Sequence, residues 1–306
     1  MITDFRGKTA FVTGGAGGIG FAMARAFGHA GMNVVVADID DRAAKGAAER
    51  LTAEQVKAVP VHCDVSERAG VRAAALEAVA AFGKIHVVCN NAGVAVGGPI
   101  GTVSERDWDW IIDVNLKSVV YGLETFVPLI RSHGEGGHIV NTASMAGMIS
   151  PPGMEPYSAT KFAVVALTEG WAVQLAPDGI GVSALCPGFV RTRIHESGRN
   201  RQDKYGGEGD VDALGQGASE AAQAVLSGID PDVVGARVLE AIRAGETYIF
   251  THPNMREFVA MRFARIMAAF DLEQFPRNES RRGFRWGANH DSILSVLAGR
   301  FGWASP

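Results

Sequence analysis

A glycine-rich run, Thr13-Gly14-Gly15-Ala16-Gly17-Gly18-Ile19-Gly20, is the feature that most limits what this chain can fold into. It follows the strand-like run Thr9-Ala10-Phe11-Val12. It precedes Phe21 to Ala30, a stretch rich in Ala, Met and Phe that reads as a helix. The order strand, glycine turn, helix gives the pattern a mechanism. Glycines let the backbone turn tightly and approach a pyrophosphate. The helix N-terminus then offers free N–H groups and the positive end of its dipole. Outside that context such a run is a plain turn; inside it, a nucleotide site is expected.

The alternation continues along the chain. Strand-like runs lie near 8–13, 33–38, 57–63, 85–90, 137–143, 180–186 and 247–251. Helical stretches fall near 18–30, 41–52, 67–82, 104–133, 155–176 and 231–245. This alternation predicts an α/β fold, a parallel sheet covered by helices on both faces. Right-handed crossovers make it doubly wound, with the ligand outside the carboxyl ends of the strands. The chain's polar and glycine signals all fall at those ends. Gly14 to Gly20 follow the first run, Asp38 the second and Asp64 the third. Asn91 to Gly93 follow the fourth, Ser144 the fifth and Pro187-Gly188 the sixth.

Asp38 comes 18 residues after Gly20 (38 − 20). A carboxylate there accepts hydrogen bonds from the ribose hydroxyls of NAD and repels the 2′-phosphate of NADP. Ile39, Asp40 and Asp41 supply no Arg for that phosphate, and the glycine loop holds no Lys or Arg. Asp38 can equally cap the helix that begins near Asp41. Tyr157 and Lys161 stand four residues apart in Tyr157-Ser158-Ala159-Thr160-Lys161, so they share a helix face. An ammonium beside a phenol favours the phenolate and lowers its pKa. Such a tyrosine exchanges a proton with an alcohol or a ketone.

Taken together, these residues resemble the short-chain dehydrogenase/reductase family. The motifs stand in order: Thr13-Gly14 with Gly18-Ile19-Gly20, Asp64-Val65, Asn90-Asn91-Ala92-Gly93, Asn115, Ser144, Tyr157 with Lys161, and Pro187-Gly188 with Thr192. The match spans roughly 5 to 250. The resemblance implies a Rossmann fold and hydride transfer between NAD and a carbinol carbon. It makes Tyr157 the general acid/base and gives Lys161 two tasks, lowering the Tyr157 pKa and binding the nicotinamide ribose. Ser144 donates to the substrate oxygen, and Asn115 holds a water linked to Lys161. Gly14, Gly17, Gly18, Ile19 and Gly20 cradle the pyrophosphate. Asp64 and Val65 receive the adenine, although Asp64 can instead cap the helix starting near Ser66. Asn91, Ala92 and Gly93 line the adenosine–ribose side. Pro187 and Gly188 pass close to the nicotinamide, and Val190 and Thr192 bond its carboxamide. From chemistry alone, Asn115 either kinks its helix or serves a buried network.

Net charge of −4 and a pI of about 6.1 invite neither nucleic acid nor anionic lipid. No apolar run reaches the roughly 18 residues of a membrane span, and no signal-peptide pattern opens the chain. A cytoplasmic enzyme is expected. Cys63, Cys89 and Cys186 sit at or near strand ends as core thiols, with no disulfide framework, and no metal is expected.

Pocket walls are expected from Val94-Ala95-Val96, from Ala146 to Met154 and from the loop after Arg193. Met145, Met148, Ile149, Pro151, Pro152, Met154, Phe189 and Ile194 make those walls largely apolar. They favour an uncharged or bulky alcohol over a small acid. Arg191, Arg193 and His195 offer contacts to an anionic group. The catalytic domain is expected over 1–252, with a substrate lid at 193–228. A helical extension is expected over 253–306, with helices near Arg256 to Phe270 and His290 to Arg300. The resemblance implies a homodimer or homotetramer built on helices 104–133 and 155–176. Alternative readings are a Cα-dehydrogenase of bulky aryl alcohols, a 3-oxoacyl-type reductase, a halohydrin dehalogenase or a non-catalytic NAD-binding protein. Lys161 and the intact loop argue against the last two, and Asp38 against the NADP-preferring reductase.

Overall fold

The computed structural model describes residues 2–207 and 218–270 of the chain. The expected helix at His290 to Arg300 and residues 208–217 of the expected lid lie outside the described residues. The chain divides into two compact units, Met1–Met255 and Arg256–Pro306. The second begins with a helix over Arg256–Ala268.

Seven strands build one sheet: β1 (Thr9–Thr13), β2 (Asn33–Asp38), β3 (Ala58–His62), β4 (Val87–Asn90), β5 (Gly137–Thr142), β6 (Ile180–Cys186) and β7 (Tyr248–Phe250). Their order is β3-β2-β1-β4-β5-β6-β7, and every pairing is parallel. β1, β4, β5 and β6 are buried along their whole length, as the near-continuous apolar runs demand of strands covered on both faces. The chain leaves β1 in one direction through β2 and β3, then returns to place β4 on the other side of β1. That reversal opens a crevice between the loops after β1 and β4.

Helices α1 (Gly18–His29), α2 (Asp41–Ala53), α3 (Arg68–Phe82), α4 (Glu105–Ile112), α5 (Ser118–His133), α6 (Glu155–Leu175), α7 (Ala218–Leu226) and α8 (Pro231–Ala244) cover the sheet and its edge loops. Packing between α1 and α8 explains Gly235, where a Cβ would lie 2.4 Å from the Ala22 carbonyl oxygen. On the other face, the Phe11 ring of β1 meets the Phe126 ring of α5 at 4.6 Å between centroids, both fully buried. Burial pushes the thiols of Cys63, Cys89 and Cys186 upward, so all three are inert core groups. No helix among the described residues is long and apolar enough to cross a membrane.

Two elements differ from expectation. The single helix read over 104–133 is interrupted by a π-helical turn at Asp113–Lys117, with Asn115 inside it. The expected lid holds two short 3₁₀ turns, Ile194–Asn200 and Asp203–Tyr205, and then α7.

Candidate active site

A cavity of about 1090 Å³ runs along the carboxyl edge of the sheet. Its lining includes the expected residues of the glycine loop, Asp38, Asp64, Val65, Asn91 to Gly93, Ser144, Tyr157, Lys161, Pro187, Gly188, Val190 and Thr192. Asn115 alone among the candidates stands behind the wall. One sheet edge therefore gathers signals spread over most of the chain.

At the nucleotide end, the loop depends on its glycines. Gly14 and Gly18 have φ of 61° and 52°, a region that favours glycine. A Cβ on Gly20 would lie 2.1 Å from the Gly14 oxygen, while nothing stands within 4 Å of one on Gly17. The loop is thus tight where it meets itself and open where a phosphate would approach. Thr13 Oγ1 accepts the Asn91 and Ala92 N–H groups at 2.9 and 3.0 Å, tying this loop to the one after β4. Asp38 Oδ2 accepts the Ala16 N–H at 3.1 Å, and Oδ1 accepts that of Asp40 at 3.2 Å. The cap of α2 is Asp40, whose carboxylate receives the Ala43 N–H, so Asp38 does not cap that helix. Burial raises the Asp38 pKa. Asp64 is likewise not the cap of α3, whose N-cap is Glu67; Asp64 holds Ser66 instead. This glycine cradle and pinned carboxylate fit a dinucleotide.

Basic groups from distant parts of the chain also reach this wall. Arg50, one turn before the end of α2, lines the cavity with its guanidinium 4.0 Å over the Phe21 ring. Arg199 lines it too and lies within the fields of Asp38 and Asp40.

The catalytic end is built on α6 and the turn after β5. Lys161 is 3% exposed, and its Nζ donates to the Thr142 carbonyl at 2.7 Å. That ammonium lies 5.5 Å from the Tyr157 ring centre. Burial lowers the Lys161 pKa to about 8. Burial also pushes the Tyr157 phenol up to about 12, with the Ser144 hydroxyl pulling the other way. In the free chain burial sets the direction of the Tyr157 shift. Desolvation is the largest cause at both groups, and it discourages protonation of the lysine itself. Ser144 also does more than face the cleft. Its Oγ accepts the Ala146 N–H at 3.0 Å, so it caps the short turn after β5 as well.

Asn115 both interrupts its helix and joins a buried network. Its Oδ1 accepts the Val94 N–H at 2.8 Å, and its Nδ2 donates to the Val94 carbonyl at 2.9 Å. A Cβ on Gly93 would meet Asn115 Oδ1 at 3.3 Å and Lys161 Nζ at 3.6 Å, so these three residues are neighbours. At Gly188 the N–H donates to His252 Nδ1 at 3.1 Å, a partner the sequence did not suggest.

The substrate wall is apolar, as expected, with changes of membership. Val94, Ala95, Met145, Ala146, Ile149, Pro151, Met154, Phe189 and Ile194 line the cavity. Val96 and Met148 are instead buried in the packing, and Pro152 lies outside the lining. Trp110, Val114, Val225, Leu226 and Met255 join the wall. Only folding brings these distant residues there. Arg191 pairs with Asp230, and Arg193 with Glu196, so both arginines are already engaged.

Residues 8–203 match the family model of short chain dehydrogenases. The chain is 34% identical over 302 residues to a C alpha-dehydrogenase of Sphingobium, a match covering 95% of this chain and 97% of the relative. It is 33% identical to a CLA biosynthesis dehydrogenase/reductase of Lactiplantibacillus plantarum, over 86% of this chain and 94% of the relative. Among solved structures, a short chain dehydrogenase/reductase from Burkholderia phymatum in complex with NAD superposes with a TM-score of 0.84 at 38% identity. That match covers 88% of this chain and 97% of the other. With the motifs converging on one cleft, the chain belongs to the short-chain dehydrogenase family, oxidoreductases that interconvert alcohols and ketones.

Proposed function

We propose that the protein is an NAD-dependent dehydrogenase of uncharged, bulky secondary alcohols, with Tyr157 as general acid/base. The observation that carries this reading is the convergence of Ser144, Tyr157 and Lys161 on an apolar cavity whose far end holds the glycine loop and Asp38. When bound, the dinucleotide supplies hydride exchange and, in its oxidised form, a positive charge. Positive charge at that wall favours the Tyr157 phenolate and draws its pKa back from about 12. Tyr157 then takes the proton of the alcohol, and Ser144 donates to the same oxygen and holds the negative charge developing there. Lys161 bonds the nicotinamide ribose, and Asn115 holds a water that passes protons outward. In the reverse direction Tyr157 returns its proton to the carbonyl oxygen. Val190 and Thr192 hold the carboxamide and so orient the ring face toward the substrate.

The preference for NAD rests on Asp38, held by two backbone N–H groups at the ribose end. Arg50 and Arg199 support the second reading, NADP held against a partly neutralised wall. The full-length resemblance to a C alpha-dehydrogenase supports a bulky aryl alcohol within the proposed class. Both points are tested by following the absorbance of reduced nicotinamide with NAD and with NADP. The substrates are a panel of secondary alcohols from small aliphatic to bulky aryl. Turnover with NAD on the bulky members is expected. Asp38→Ser should shift kcat/KM toward NADP by about tenfold, the loss of one charge–phosphate repulsion. A wild-type preference for NADP sinks the cofactor assignment, and turnover confined to small alcohols sinks the substrate class.

A further inference from the structure

Asp64, at the adenine end of the cleft, is held by Gln202, a residue of the segment that starts from the substrate wall at Ile194. All hydrogen bonds to its carboxylate among the described residues fall on one oxygen. Asp64 Oδ1 accepts the Ser66 N–H at 2.9 Å, the Ser66 hydroxyl at 2.7 Å and the Gln202 side-chain amide at 2.9 Å. The other oxygen is left to accept from a ligand in the cavity, whose lining includes both Asp64 and Gln202. The two are 138 residues apart in sequence.

Chemistry fixes the orientation of the Gln202 amide. Trp110 Nε1–H can only donate, and it donates to Gln202 Oε1 at 3.2 Å. A carboxylate can only accept, so the amide NH₂ must face Asp64. The support behind Gln202 is dense. Trp110 is fully buried, and the Arg201 guanidinium stacks on its ring at 5.0 Å. Arg201, with its side chain 1% exposed, forms an ion pair with Asp107 and donates through Nε to the Tyr205 carbonyl at 2.8 Å. The Tyr205 hydroxyl donates to Asp113 in the π-helical turn. At the other end of the same strap, the Ser197 hydroxyl accepts the Ala95 N–H at 3.1 Å. Residues 194–205 therefore run from the substrate wall at Ile194 to the adenine end at Gln202, anchored along the way.

We infer that Gln202 is a positioning residue for the dinucleotide: anchored by the strap, it sets the rotamer of Asp64, so adenine binding and the anchored strap stabilise one another. This rests on the reading that Asp64 receives the adenine. The physical argument is one of preorganisation. An Asp64 carboxylate free to rotate must be ordered when the ligand binds, and Gln202 removes that cost beforehand. Coupling of this kind is reciprocal, so a bound adenine also holds the strap in place.

The test uses calorimetric binding of ADP-ribose, which carries the adenine and needs no substrate, to the full-length protein. Wild type is compared with Gln202→Leu, Asp64→Ala and the double variant. Gln202→Leu should raise the ADP-ribose Kd by about fivefold to tenfold, within the range of one ordinary hydrogen bond. A positioning role exerted through Asp64 means that, in the double variant, the glutamine change should add nothing to Asp64→Ala. A merely structural role would instead make the two effects multiply, and that result overturns the proposal. So does a Gln202→Leu Kd within about twofold of wild type while Asp64→Ala weakens binding. If Asp64→Ala itself leaves the Kd unchanged, the adenine reading of Asp64 fails and the proposal falls with it. Gln202→Asn, too short to span Trp110 and Asp64, repeats the comparison should the leucine variant fail to fold.

Discussion

Two titratable side chains, the half-buried Tyr157 and the buried His138, illustrate what desolvation does to single residues here. Tyr157 is the proposed proton exchanger, and phenylalanine in its place removes only the hydroxyl. Tyr157→Phe should lower kcat by about a hundredfold to ten-thousandfold while NADH binding, followed by fluorescence, persists. Turnover near the wild-type rate would end the mechanism. His138 is 1% exposed in the middle of the sheet, and its Nε2–H faces the Ser183 hydroxyl at 2.7 Å. Burial drives its pKa down to about 3. The unfolded chain binds this proton near pH 6.5 and the folded chain does not, so stability is full above that pH and is lost as pH falls toward 3. The slope from this one group approaches about 1.4 kcal/mol per pH unit. Chemical denaturation between neutral pH and pH 5 should therefore show a shallower loss in His138→Gln than in wild type. An unchanged slope would mean that other groups carry the acid sensitivity.

At the level of elements, two joints define the site. The first is the turn between β1 and α1. A Cβ on Gly20 would stand 2.1 Å from the Gly14 oxygen and 2.6 Å from Asn91 Nδ2. The first of those atoms is backbone, so it cannot step aside as a flexible side chain would. Gly20→Ala should raise the NADH Kd by more than about tenfold and cost about 1–3 kcal/mol of stability, read by calorimetry and denaturant titration. Wild-type affinity would show that the loop tolerates a shift and that its tightness is not what shapes the cradle. The second joint is the π-helical turn at Asp113–Lys117. The apolar pattern of 104–133 is continuous across it, so hydrophobic periodicity reads one helix. The break comes from Asn115, whose amide pairs with both backbone groups of Val94 on another segment. A local pattern cannot register a hydrogen bond made across the fold.

For the whole molecule, stability rests on a parallel sheet sealed on both faces. The Phe11–Phe126 contact joins β1, an interior strand, to α5. Phe126→Ala should cost about 3–5 kcal/mol in denaturant unfolding, through lost burial and the cavity left behind. A loss below about 1 kcal/mol would mean that α5 collapses into the gap. The order of elements, the parallel sheet and the edge on which the site lies were all determined by the amino-acid sequence. Apolar runs of strand length, helical stretches between them and glycine turns are local signals, and their alternation leaves few topologies. The seven strands and the cleft-lining motifs lie where those signals put them. Tertiary structure decided what depends on distant partners. It brought Arg50 and Arg199 to the wall beside Asp38, although no basic residue neighbours Asp38 in the chain. It raised the Tyr157 pKa and lowered that of Lys161, because desolvation depends on how much protein surrounds a group and spacing on a helix does not report it. It also tied Gln202 to Asp64, since a hydrogen bond is set by distance in space, and that pair stands 138 positions apart in the chain.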